Sequence, residues 1–147
     1  MPATNYQRNL FLNYAFGAKT TFASSTIYWG LSTALLTSDC TGTTAYESTA
    51  ATYARKSMLN NTDNWTASEY PVYPVSNNFQ YIENKLDLIF VTSGANSWGV
   101  MRTIFIADSG TTGAGNILWY DYLSPALTVE ANTIPTFPAG SLMVSMV

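Results

Sequence analysis

Apolar and polar positions along the chain change their period once, near Gly17. Before it, Tyr6, Leu10 and Tyr14 recur at helical spacing with Phe11 and Ala15 beside them, while Gln7, Arg8, Asn9 and Asn13 fill the polar side. Thr4 stands where an N-cap is wanted, Gln7 three residues later completes a capping box, and Gly17 supplies a left-handed C-cap. The pattern predicts a helix within 1–17. A helix this short does not hold alone in water, so its aromatic stripe is expected to pack on the protein's own sheet.

After Gly17 the period becomes that of strands. Thr26 to Thr33 is rich in β-branched and aromatic residues. Further strands are expected over Tyr53–Leu59, with Arg55 and Lys56 near the middle, over Asn78–Glu83, and over Lys85–Val91, where Leu86, Leu88 and Phe90 share a face. Trp98–Ala107 carries Trp98, Val100, Ile104 and Ile106 on one side and Met101, Phe105 and Ala107 on the other, the pattern of a central strand covered twice. Asn116–Leu123, Thr133–Phe137 and Ser141–Val147 complete the set, the last with Leu142, Val144 and Met146 on one face. Two stretches, about 34–52 and 60–78, have no period and read as long loops. The fold class predicted is all-β: an antiparallel β-sandwich or jelly-roll-like packing of sheets, with a short N-terminal helix and two long loops. All 147 residues form one domain in this reading, with the helix in 1–17 and the sandwich in 26–147.

Composition turns this into a statement about surfaces. Charged residues are 10% of the chain, aromatics 14%, and the net charge is −3. A surface so poor in charge suits a chain covered by partners, because Tyr and Trp concentrate in interface cores and few charges keep a free monomer soluble. The six basic residues are scattered, leaving no stripe to neutralise phosphates, so direct nucleic-acid binding is not expected. No apolar run reaches the length of a membrane span and no secretory signal is visible, so no membrane partner is expected and the Asn60-Asn61-Thr62 and Asn64-Trp65-Thr66 sequons read as chance matches. Cys40 is alone, which leaves no intrachain disulfide. With no His, the commonest general base and metal ligand are missing, so no catalytic residue, metal or cofactor is expected. A carboxylate glycosidase would need two acids facing across a cleft, and the nine acids show no such signature. Ser109–Gly115 has the glycines of a phosphate loop, but lacks the Lys and leads into a strand, so it reads as a hairpin connection.

One ordered set of motifs adds a family. The helix ending in Phe16-Gly17 is followed by Tyr28-Trp29-Gly30-Leu31-Ser32-Thr33 and Tyr53-Ala54-Arg55. Trp98-Gly99 then opens Ile104-Phe105-Ile106-Ala107-Asp108, and Asn116-Ile117-Leu118-Trp119-Tyr120, Leu123-Ser124-Pro125 and Phe137-Pro138-Ala139-Gly140-Ser141-Leu142 close the series. The set resembles small virion structural proteins of tailed bacteriophages, labelled tail-fibre or capsid cement (decoration) proteins; the stretch from Asn60 to Asn78 departs from it as an aromatic insertion. The resemblance implies a virion protein without catalytic residues. Joined to the surface chemistry, it leads to the expectation of a cement protein on the outer surface of the capsid, bridging major capsid protein subunits and self-associating as a trimer or dimer. The alternative is a tail-fibre or tail-tip module that binds a receptor. Contact residues are expected in and beside the long loops: Arg55 and Lys56 toward capsid acids, with Trp65, Tyr70, Tyr73 and Phe79. Trp29, Trp98 and Phe105 are expected in the core.

Overall fold

The computed structural model describes residues 1–17, 24–66 and 81–145. Within them lie one α-helix, α1 (Asn5–Ala15), and eight strands: β1 (Thr26–Ser32), β2 (Lys56–Leu59), β3 (Tyr81–Glu83), β4 (Leu88–Ile89), β5 (Gly99–Ala107), β6 (Ile117–Val129), β7 (Thr136–Phe137) and β8 (Met143–Ser145). A four-stranded antiparallel sheet in the order β2-β1-β5-β6 forms the centre, and two antiparallel pairs, β3-β8 and β4-β7, stand apart from it. This is the expected all-β, sandwich-like architecture. No helix among the described residues is long and apolar enough to cross a membrane.

The central sheet is covered on both faces because β1 and β5 are apolar on both. On one face Ile27, Trp29, Leu31, Ile104 and Ile106 meet Leu88, Phe90, Trp98, Leu142 and Val144 from the small sheets and their flanks. On the other, Phe105, Ala107 and Ile117 meet Leu36, Cys40 and Ala45. The loop after β1 therefore works as a lid of the second face rather than as a free arm. It includes a single 3-10 turn at Gly42–Thr44, and Gly42 lies so close to the Ala114 backbone that an added Cβ would overlap it. Gly30 is fixed in the same way by the Phe105 ring.

Two irregularities correct the strict alternation expected of the sheet. Between Met101 and Thr103, one residue of β5, Arg102, faces four of β6, Leu123 to Ala126; Met101 joins the face of Ile104 and Ile106 while Val100 is exposed. Between Ile106 and Ala107 a second shift leaves Leu118 as the extra residue of β6. Several strands are also shorter than their apolar runs. Tyr53 and Arg55 lie in irregular chain before β2, and Leu86 is exposed although Leu88 and Phe90 are buried. By contrast, β6 runs six residues past the expected Leu123.

The largest difference is at α1. Thr4 caps the helix by accepting the Gln7 N–H (3.3 Å), and Gly17 adopts φ +76° beyond its end, both as expected. The reciprocal half of the capping box does not form. Thr4 instead donates its own N–H to the Leu118 carbonyl (2.9 Å), its hydroxyl bonds the Ile117 carbonyl, and the Gln7 side-chain oxygen is buried without a partner. Pinned to β6 in this way, α1 buries Gln7 and turns its apolar residues outward: Tyr6, Phe11, Leu12, Tyr14 and Phe16 are all exposed, Phe16 by 84%.

Candidate interaction surface

The residues expected to make contacts divide sharply. Arg55 is no surface cation. Irregular chain before β2 turns it inward, where Nε and Nη2 bond the two oxygens of Glu47 (2.9 and 2.8 Å) and Nη1 donates to the carbonyls of Ser109 (2.6 Å) and Ala114 (2.9 Å). Its guanidinium stacks over the Phe105 ring at 5.3 Å. Glu47 also accepts from the Gly113 N–H and the Tyr53 hydroxyl, both at 2.8 Å, and that hydroxyl accepts the Leu31 N–H. Burial and the adjacent Glu47 carboxylate push the Tyr53 hydroxyl pKa far up, so it stays a donor. The ion pair clamps the β5-β6 hairpin tip to the loop after β1. It is internal joinery, and the correction follows from its burial: the Arg55 side chain is not exposed at all, and four of its five N–H groups are taken by the Glu47 carboxylate and two carbonyls.

Lys56, the next residue, is exposed on the edge strand β2. Trp65 is corrected like Arg55: it is 6% exposed and stacks on Trp29, with centroids 5.9 Å apart and planes 30° apart. Tyr70, Tyr73 and Phe79 lie outside the described residues. Trp29, Trp98 and Phe105 are in the core as expected. Cys40 is buried against the second core, and burial raises its thiol pKa to about 11, with Asp39 adding to the rise.

The exposed apolar surface comes from elsewhere. Besides α1, it includes Leu35, Tyr46, Tyr122 and Ile134. Tyr46 has a backbone to match its unusual position. At φ +47° it is one of two non-glycine residues with positive φ among those described, the other being Asn132, a residue type that tolerates this region far better. Thr33 holds it there, donating both its N–H (3.0 Å) and its hydroxyl (2.8 Å) to the Tyr46 carbonyl. Nothing in the sequence flags Tyr46, since positive φ at a tyrosine is imposed by its neighbours.

An open groove of about 730 Å³ is lined by Thr33, Glu47 to Ala51 and Ala95 to Gly99. Trp98 forms its base, donating its indole N–H to the Thr52 hydroxyl (3.1 Å) and meeting the Tyr53 ring edge-on at 5.1 Å. Of the other acids, Asp108 bonds Asn116 through both oxygens, Asp87 accepts from Ala139 N–H, and Asp39 pairs with Asn5; each secures a turn or a connection.

Comparison with known proteins matches residues 2–145 to the family described as Podophage GP4 fiber I protein gp80. No curated protein matches the chain.

Proposed function

The chain belongs to the podophage GP4 fiber I protein gp80 family, a family of bacteriophage virion structural proteins, and from that membership we propose that it is a tail-fibre component whose work is adhesion rather than turnover. The match across residues 2–145 carries the reading, because the family is described by a fibre. The surface agrees with it. Charge is sparse, and the large apolar side chains left on α1 suit a subunit that is covered in the assembled particle.

The expected role as head cement, with the major capsid protein as partner, has less behind it than the fibre. In the fibre reading the partners are further copies of the same chain, as a trimer or dimer, and the tail to which they attach. The experiment is localisation on intact particles with a labelled antibody, together with copy number from quantitative mass spectrometry. Label confined to the tail, at far fewer copies than the major capsid protein, is the expected result. Label spread over the head at a copy number near that of the capsid protein would replace the fibre with cement.

A further inference from the structure

One border of the central sheet is left unmatched. β2 is its end strand, and its phase against β1 is fixed: Trp29 faces Lys56, Ile27 faces Met58, and the Asn60 N–H donates to the Ser25 carbonyl (2.9 Å). In an antiparallel pair, residues that exchange bonds alternate with residues that do not. Lys56, Met58 and Asn60 therefore turn their backbone groups to β1, while Ser57 and Leu59 turn theirs away. The Asn64 side chain agrees with this phase, donating to the Leu59 carbonyl (2.9 Å) from the side away from β1. The Ser57 N–H and carbonyl and the Leu59 N–H meet no described residue, and neither does the Arg55 carbonyl, next in the same alternation.

Such a border accepts an extended strand, and the side chains along it select which one. Lys56 stands at the start of β2 and Asp63 in the turn beyond its end. Both are exposed, and neither side chain makes an ion pair or hydrogen bond to any described residue. A second copy added in parallel register would set Lys56 on Lys56, like charges directly opposite. Added antiparallel, about a two-fold axis at Ser57, it points the cation of each copy toward the acid of the other. Lys56 then lies across from the other copy's Met58 in a non-hydrogen-bonded pair, where side chains come closest, and its methylene stem covers that half-buried residue. Leu59, exposed in the single copy, is covered by the added strand. A lysine on an edge strand keeps foreign strands away. Here the matching acid lies in the same sequence, so the strand that fits is a second copy.

We propose that two copies of this chain pair through β2, antiparallel and two-fold symmetric about Ser57, and so join their central sheets into one. The Ser57 N–H of each copy donates to the Ser57 carbonyl of the other, and the Leu59 N–H to the other's Arg55 carbonyl. β2 has four residues, so the contact is small and the dimer weak. The pairing goes beyond the fibre reading, because it requires only this chain, wherever the chain sits on the particle.

The test is sedimentation velocity of the purified protein, up to high micromolar concentration, with a monomer–dimer equilibrium as the expected result. Ser57→Pro removes the outward N–H, which the single copy does not use, at an edge position where proline is tolerated. It should weaken dimerisation at least about tenfold, the size of the symmetric hydrogen bonds lost. Ser57→Lys should do the same by setting like charges face to face, through an exposed position that leaves the fold alone, while Ser57→Thr keeps the dimer. In Ser57→Cys, copper-catalysed air oxidation should join two copies by a disulfide, since directly opposed residues of a bonded pair have Cα atoms about 5.5 Å apart. Thr112→Cys, exposed at the hairpin tip, should stay reduced far longer. A parent that remains monomeric throughout, folded Ser57→Pro and Ser57→Lys that associate like the parent, or a disulfide no faster at 57 than at 112 overturns the proposal. Label on the head with a Ser57-dependent dimer removes the fibre and keeps the pairing; label on the tail with no dimer does the reverse.

Discussion

The central strands and the N-terminal helix treat the same kinds of side chain in opposite ways. Where β1 and β5 meet, every large apolar group except the half-buried Tyr28 is enclosed, and the ion pair of Arg55 with Glu47 is enclosed with them. Along α1 and at its C-cap, five large apolar side chains face outward and an uncharged glutamine is the residue buried. Residue type alone cannot produce this contrast. The helix is oriented by backbone bonds from Thr4 to Leu118 and from Asn5 to the Ser38 carbonyl, and these fix which side meets β6 before any side chain is consulted. One region folds the chain, and the other is left to meet something else.

The sharpest way to break the contrast is Phe105→Ala. The ring fills the space over Gly30 and lies beneath the Arg55 guanidinium, so its loss should cost the upper part of ~3–5 kcal/mol, read as a fall in the urea midpoint. A loss under about 1 kcal/mol would mean that the second core is loosely packed. Arg55→Ala comes next, at about 3 kcal/mol, because it strands a buried carboxylate. The double variant Arg55→Met with Glu47→Leu should recover part of that loss. If the two single losses simply add, the pair is not coupled. The smallest effect is expected on the helix. Leu12→Ser and Phe16→Ser should each change monomer stability by no more than ~0.5 kcal/mol, yet reduce self-association in sedimentation velocity. A large drop in stability with unchanged association would place these side chains in the folded monomer's own packing.

Much of the fold was legible because it rests on short-range pattern. The alternation in β1, the double-faced apolar run of β5, the Thr4 cap and the hairpin of Ser109–Gly115 all follow from periods and turn chemistry. The contact surface was less legible, for a physical reason. Arg55 and Lys56 are neighbours of the same charge, and only a carboxylate eight positions away from Arg55 and a hairpin more than fifty away decide that one is buried and the other exposed. Trp65 likewise depends on Trp29, distant in sequence, to become core. The groove was invisible for the same reason: its walls come from two separated loops, and the strain at Tyr46 exists only once Thr33 lies beside it.

The uneven register of β6 has a bearing on how copies can join. β6 is an outer strand of the central sheet, its first residues are already matched by Pro2 to Thr4, and further along it carries Pro125 inside the stretch where four residues oppose one. A proline has no amide hydrogen to offer, and a strand bent out of step cannot template a neighbour. Growth of an endless ribbon by strand addition is therefore blocked along this border, which leaves β2 as the open edge of the central sheet and favours the pairing of two copies over an open polymer.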